Sequence, residues 1–311
     1  MSLGVSSRPA VAGFGGLISV VIPAFNEASL VTRCLQETVA ALEELGCRYE
    51  VILVDDGSDD QTLDLAREVA EAMRRVRVIG HEVNLGKGSA LMRGALSALG
   101  ELVLFVDADL EVHPRQLEIL YDALVSENAD VVIGSKLHPN SRVEVPRGRR
   151  LLTVGYYLLV RVLFRLPVHD TQTGLKLFRR KVLLRVMPRL LVKRFATDLE
   201  VLVNVHRLGY KIVEAPVVVT RARPFPRLGG GDVRDVAVDT AAIWYRTYIL
   251  RYYDRRGRQI DELLAEVPPF RIFDSEESSA VEGHALLSGI EDHARTAATG
   301  FDDRKGQAER A

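Results

Sequence analysis

The sequence predicts an α/β fold with a mostly parallel sheet flanked by helices, and three observations predict it. Short β-branched runs alternate with amphipathic stretches from residue 18 onward, the runs are apolar throughout, and each ends in a polar turn. Strands covered by helices on both faces read in this way. At 311 residues and 47% apolar side chains, the chain can bury the core of one elaborate domain.

Taken in order, ISVVI is the first strand and is followed by a helix near 28–45; EVILV precedes a helix near 61–73; VRVIG precedes a helix near 87–98; and LVLFV is the fourth strand. A helix over 114–126 and a strand over 130–134 follow. The pattern then changes to a basic, very apolar helix over 147–166, a helix over 196–208, a strand over 211–219 and one long helix over 232–253, rich in aromatics towards its end. Residues 1–16 hold no sustained apolar run, which reads as a mobile lead-in and not a secretory signal. The expected organisation is a lead-in over 1–16, a domain over 17–253 in two halves (17–135 and 136–253), and an acidic, mostly disordered tail over 254–311.

The net charge of -1 hides an asymmetry. Residues 142–227 carry 19 Lys or Arg against 5 Asp or Glu, while residues 259–311 carry 5 against 12. Such a basic stretch invites phosphates or lipid headgroups; no nucleic-acid partner is expected. Cys34 and Cys47 have no neighbours at metal-ligand spacing and read as reduced core thiols. Arg161 and Arg165 interrupt LLTVGYYLLVRVLFRLPV, so no transmembrane helix is expected.

Parallel sheets bind ligands beyond the carboxyl ends of their strands, which directs attention to four polar segments: Pro23-Ala24-Phe25-Asn26-Glu27, Asp55-Asp56-Gly57-Ser58, Asn84-Leu85-Gly86-Lys87-Gly88 and Asp107-Ala108-Asp109. Asp107 and Asp109, two apart at a strand end, can point to one side in extended backbone and suit a hard divalent cation, with Glu111 as a further oxygen ligand; a solvated acidic turn is the other reading. Asp55 suits either a ligand hydroxyl or a turn ahead of the helix at 61. The segment 84–89 offers backbone amides and a lysine for an anion. It lacks Walker A spacing, because five residues separate Gly80 from Gly86 and Gly88 follows the lysine.

Together, VVIPAFNE, VILVDDGSDDQT, NLGKGSALMRGAL and VDADLEVHP resemble the family-2 glycosyltransferases of GT-A fold. More narrowly, HDTQTGLKLF (169–178) and RFATDLE (194–200) are similar to the polyprenyl-phosphate group, the dolichyl-phosphate glucose and mannose synthases, with the glucose branch favoured. The resemblance covers about residues 17–253. It implies that Pro23, Ala24, Phe25, Glu27, Asp55, Gly57, Lys87, Asp107 and Ala108 form the donor nucleotide site, and that Asp107, Asp109 and Glu111 bind Mg²⁺ or Mn²⁺. Asp109, Asp170 and Asp198 are its implied catalytic carboxylates, with Asp170 near the sugar and Asp198 on the acceptor side. Asp170 as a turn cap and Asp198 as a helix cap or ion pair are the structural alternatives.

The implied activity is an inverting transfer of a hexose from a UDP- or GDP-sugar to a polyprenyl phosphate at the cytoplasmic membrane face. Lys136, Arg147, Arg149, Arg150 and Arg227 are the expected acceptor-phosphate ligands. The helix at 147–166 suits an anionic membrane interface, with Lys176 to Lys193 extending the basic surface and Trp244, Tyr245, Tyr248, Tyr252 and Tyr253 as an aromatic belt; ordinary core packing is the alternative. Residues 221–231, with three arginines and three glycines, read as a lid or as a linker. Without membrane helices the chain is expected to attach peripherally or to use a membrane protein partner. Two further hypotheses are the same donor chemistry onto a soluble hydroxyl, for which Asp198 is the base, and a non-catalytic nucleotide-sugar-binding subunit.

Overall fold

The computed structural model describes residues 10–143, 147–192, 196–219 and 230–258. The first half runs β1 (Leu17–Ala24), α1 (Val31–Glu44), β2 (Arg48–Asp55), α2 (Thr62–Ala72), β3 (Val76–Gly80), α3 (Lys87–Ser97), β4 (Leu102–Phe105), α4 (Leu117–Ser126) and β5 (Val131–Ser135). The second half adds α5 (Arg147–Phe164), β6 (Lys176–Arg179), α6 (Arg180–Val186), α7 (Thr197–Arg207), β7 (Ile212–Pro216) and α8 (Gly230–Trp244). The seven strands form one sheet in the order β3-β2-β1-β4-β6-β5-β7. Every pairing is parallel except those of β6, which runs antiparallel to both β4 and β5. The expected mostly parallel sheet is therefore present.

Because strand side chains alternate, β1 feeds two cores. Ile18, Val20 and Ile22 pack with Leu35 and Leu42 of α1 and Leu117 and Leu120 of α4. Val21 packs on the other face with Leu91 of α3, Leu183 of α6 and Leu199 of α7. Leu53, fully buried at the middle of β2, illustrates the cost of breaking this sandwich: truncation of such a residue to alanine costs about 2–5 kcal/mol. Both cysteines are buried and free, and burial pushes the Cys34 thiol up to about 12.

Four expectations need correction. Order begins before residue 17, since Ala10–Gly13 form a 3-10 turn whose Val11 is fully buried, and Phe14 packs on Tyr121 with ring centroids 5.7 Å apart. The long helix over 232–253 is broken: α8 passes into a π-helical turn at Tyr245–Ile249, and Arg251 takes φ +48 before helix resumes over 252–258. That last segment belongs to the domain and not the tail, because Asp254 pairs with Arg207 at 2.8 Å and Arg256 Nε donates to Pro188 O at 2.9 Å. Lys176 is not on the surface; it is 1% exposed within β6. The lead-in before residue 10, the tail from 259 and the lid segment 221–229 lie outside the described residues. No helix among the described residues is long and apolar enough to cross a membrane.

Candidate active site

The site is assembled at the carboxyl ends of β1, β2 and β4, where apolar strands give way to polar turns. Pro23 and Ala24 close β1 and are buried, while the Phe25 ring is 40% exposed. Asn26 takes φ +54 and accepts from the Asp59 amide at 2.9 Å; the Glu27 amide donates to Thr62 Oγ1 at 2.7 Å. These bonds tie the first polar turn to the second. Asp55 is nearly fully buried and accepts from the Ser58 amide at 3.1 Å and the Ser58 hydroxyl at 2.6 Å. Gly57 takes φ +69, and a Cβ there would meet the Val83 carbonyl carbon at 2.4 Å, so only glycine lets this turn pass the 83–84 backbone.

Asp56 has a different task. Its carboxylate lies 2.8 Å from His81 Nδ1 and accepts from the amides of Leu85 at 3.0 Å and Gly86 at 2.7 Å. It thereby fixes the turn that starts α3 and presents Lys87.

Val106 and Asp107 lead from β4 into a turn at Ala108 and Asp109, and Leu110 takes φ +55. The extended arrangement expected for Asp107 and Asp109 is thus replaced by a turn, in which Asp109 Oδ1 accepts from the Glu111 amide at 2.9 Å. Asp107 Oδ1 lies 2.7 Å from Lys87 Nζ. Gly174 abuts it, since a Cβ at that position would meet Asp107 Oδ2 at 2.1 Å.

Lys87 Nζ also lies 3.7 Å from Asp198 Oδ2, which joins the donor side to α7. Burial opposes the Lys87 charge, but Asp107 and Asp198 outweigh it and hold the ammonium's pKa above its ordinary value. Asp198 is 7% exposed and its Oδ1 lies 2.6 Å from Lys176 Nζ, which also donates to Thr173 O. Burial alone would push the Asp198 carboxyl up; Lys176 and then Lys87 overcome it and hold the group below the usual carboxylate range.

Asp170 accepts three hydrogen bonds, from the Lys136 amide at 2.9 Å, the Gln172 amide at 2.9 Å and the Thr173 hydroxyl at 2.6 Å. Its geometry is that of a turn cap that places Lys136. Lys136 Nζ in turn lies 2.5 Å from Glu111 Oε2. A residue expected to bind metal and one expected to bind acceptor phosphate are therefore partners of each other. The side chains of Arg147, Arg149 and Arg150 and all of Arg227 lie outside the described residues.

A Mg²⁺ or Mn²⁺ ion fits this donor set in one way. Among the described residues no three His, Cys, Asp or Glu side chains gather as a metal cage. Asp107 is engaged by Lys87 and Glu111 by Lys136, while Asp109 offers its second oxygen. One or two carboxylates completed by substrate phosphate oxygens are the usual coordination of such hard cations.

Sequence reasoning missed three contributors: Lys176, Asp56 as the anchor of the Lys87 turn, and Gly174. The signal for Lys176 was a charged residue inside the apolar run Leu175-Lys176-Leu177-Phe178. For Asp56, the signal was that consecutive residues of a strand end face opposite ways, so Asp55 and Asp56 cannot share one role.

The seven-stranded sheet with its one reversed strand and its Asp-Ala-Asp turn after β4 has the architecture of the GT-A glycosyltransferases. The chain belongs to glycosyl transferase family 2, whose family model matches residues 19–186. It is 34% identical over 213 residues to Glycosyltransferase AglD of Haloferax volcanii, covering 68% of this chain and 34% of that protein. It is 33% identical over 209 residues to a dolichyl-phosphate beta-glucosyltransferase of Trichomonas vaginalis, covering 64% of each. The chain thus spans less than two thirds of either relative. Among solved structures, glucosyl-3-phosphoglycerate synthase from Mycobacterium tuberculosis in complex with Mn²⁺, UDP-glucose and phosphoglyceric acid is similar, with a TM-score of 0.56 and 25% identity over 75% of this chain and 81% of that one.

Proposed function

We propose that the chain is an inverting, metal-dependent glycosyltransferase that moves a hexose, glucose first and mannose next, from a nucleoside diphosphate sugar to a polyprenyl phosphate at the cytoplasmic face of a membrane. The observation that carries the acceptor is the state of Asp198. A general base must take up a proton near neutral pH, and a carboxylate held below its usual range by Lys176 and Lys87 does this poorly. A lipid phosphate is already ionised and needs no base. Similarity to the Trichomonas dolichyl-phosphate beta-glucosyltransferase supports glucose and dolichyl phosphate, and the mycobacterial complex supports UDP-glucose with Mn²⁺.

In this reading the exposed Phe25 ring and Asp55 hold the nucleoside, while Lys87 and the first amides of α3 face the diphosphate. Asp109 would hold the cation, which when bound supplies charge neutralisation to the leaving group. An acceptor phosphate oxygen attacks the anomeric carbon from the side opposite the diphosphate. The new carbon–oxygen bond forms as the bond to the diphosphate breaks, and the diphosphate leaves with the electron pair. No proton changes hands. Lys87, already charged beside Asp107, shares the negative charge that develops on the leaving group.

A soluble acceptor is the second reading, favoured by the phosphoglyceric acid in the mycobacterial complex. Incubation of the purified chain with UDP-glucose or GDP-mannose, Mg²⁺ or Mn²⁺, and a short polyprenyl phosphate together with phosphoglyceric acid separates the two when products are weighed by mass spectrometry. The expected product is a glucosyl lipid phosphate that disappears when EDTA is added. Full turnover in EDTA would overturn the metal role, and glucosylation of phosphoglyceric acid alone would overturn the lipid acceptor.

A further inference from the structure

A cavity of about 410 Å³ opens beside the C-terminal end of α5, lined by Arg161, Arg165, Leu166, Pro167 and His169. None of the donor-side carboxylates lines it. Arg161 and Arg165 are exposed, and neither has a carboxylate partner among the described residues. The Arg161 guanidinium donates to the Tyr157 hydroxyl and sits 5.9 Å from that ring's centroid. The His169 ring packs on the same tyrosine, with centroids 4.9 Å apart, and its Nδ1 lies 2.6 Å from Glu214 Oε2. The Arg161 and His169 walls are therefore held in place, while neither guanidinium group is in an ion pair among the described residues.

Backbone and helix geometry add two observations. Arg165 takes φ +55 directly after α5, a conformation that costs a side-chain-bearing residue about 1–2 kcal/mol and that glycine adopts freely. Leu158, Arg161 and Val162 stand at i, i+3 and i+4, so they share one face of the helix. On that face Leu158 is 52% and Val162 77% exposed. An apolar track thus leads to a basic cavity. Basic side chains near a helix C-terminus also offset the helix dipole, which accounts for the charge but not for the cavity or the bare apolar track.

We infer that this cavity is a phosphate-binding site, separate from the donor site, that seats the head group of a lipid phosphate whose chain lies along Leu158 and Val162. Guanidinium groups recognise phosphate through paired, charge-assisted hydrogen bonds, and the exposed leucine and valine suit an acyl or prenyl chain. The phosphate chemistry stands on the cavity; its assignment to a lipid rests on the function proposed above.

The test uses the full chain and phosphatidylcholine vesicles carrying phosphatidic acid or phosphatidylserine at equal surface charge. The wild type is expected to bind the phosphatidic acid vesicles about tenfold more tightly, the size of effect set by one or two charge-assisted hydrogen bonds. R161Q/R165Q should lose that preference with UDP affinity unchanged. R161K/R165K keeps the charge without the planar fork, and should retain vesicle binding while losing most of the discrimination. Equal binding to both vesicles by the wild type, or an undiminished preference in R161Q/R165Q, would overturn the site. Inorganic phosphate that competes as well as soluble phosphatidic acid would overturn the lipid assignment, and much weaker competition supports it. Loss of the proposed transferase activity would appear in the product assay and leave the vesicle preference untouched, so the two failures are distinguishable.

Discussion

The two halves of the sheet treat charge in opposite ways. In residues 17–135 the carboxylates sit at strand ends and are bound by backbone amides and hydroxyls, as Asp55 is by Ser58, Asp56 by Leu85 and Gly86, and Asp109 by Glu111. In residues 136–258 buried charges meet other side chains: Lys176 pairs with Asp198 in the interior, and Glu200, two residues further along α7, accepts from the Tyr253 hydroxyl of the C-terminal segment. The first half builds a rim of carboxylates that anchor the turns after the strands. The second builds an interior network in which Lys176 holds the charge of Asp198.

Removal of a rim carboxylate should therefore cost activity, and removal of an interior charge should cost stability. Asp109→Ala is expected to lower kcat about 10²–10³-fold, the usual loss when one preorganised group that stabilises a leaving group is deleted. Its urea midpoint should stay near that of the wild type, because Asp109 is half-buried and accepts one amide. An equally large drop in stability would erase the contrast between the halves. Lys176→Met should do the reverse first: it leaves Asp198 buried with a more distant cation, and breaking such a pair from one side costs about 3–5 kcal/mol. Urea unfolding measures this directly, and K176M/D198N should recover part of the loss.

Acid titration sharpens the same contrast. Asp198 is held below the usual carboxylate range, so its contribution to stability is present above about pH 4, the ordinary value, and is lost as pH falls through the lowered one. Glu200 is shifted the other way: burial pushes it up, against hydrogen bonds from Tyr253 and the Val192 and Leu191 amides. The folded state then holds the Glu200 proton more tightly than the unfolded one, so this group's contribution is present below the ordinary carboxylate value and is lost as pH rises through the raised one. The stability difference between wild type and Asp198→Asn should shrink on acidification, while that between wild type and Glu200→Gln should not. Parallel pH slopes for the two variants would contradict the opposed environments.

How much of this was legible follows the same division. The parallel half could be read because apolar strands and polar strand ends recur in a fixed order, and the nine expected donor-side positions from Pro23 to Ala108 fall at the last residues of β1 and β2, on the turns after β1, β2 and β4, or at the start of α3. The turn at Asp107–Leu110 could not, since a left-handed Leu110 has no sequence signature. In the other half, β6 is four residues long and begins with a lysine, too short and too charged to stand out from a basic run. Burial of Lys176 depends on Asp198, 22 residues away in sequence, and no local pattern reports that. The break in the last helix is similar, because Trp244 to Tyr253 keep a helical composition while the backbone widens into a π turn.

The smallest expected effect lies at that break. Tyr253 was expected in an exposed aromatic belt; Tyr245 and Tyr248 are exposed, but Tyr253 is 2% exposed and its hydroxyl donates to Glu200. Glu200 also accepts from Val192 at 2.8 Å, and the Val192 carbonyl accepts from the Thr197 hydroxyl at 2.9 Å, one residue before Asp198. A chain of bonds thus runs from the C-terminal segment to the turn that carries Asp198. Tyr253→Phe leaves a buried carboxylate oxygen short of one donor, which costs about 1–3 kcal/mol. If the chain of bonds positions Asp198, kcat should fall several-fold and more than donor KM changes, because Asp198 helps to hold the Lys87 ammonium that shares the leaving group's charge. A variant that loses stability while both kinetic constants hold would confine Tyr253 to packing and leave Lys176 as the principal interior control on Asp198.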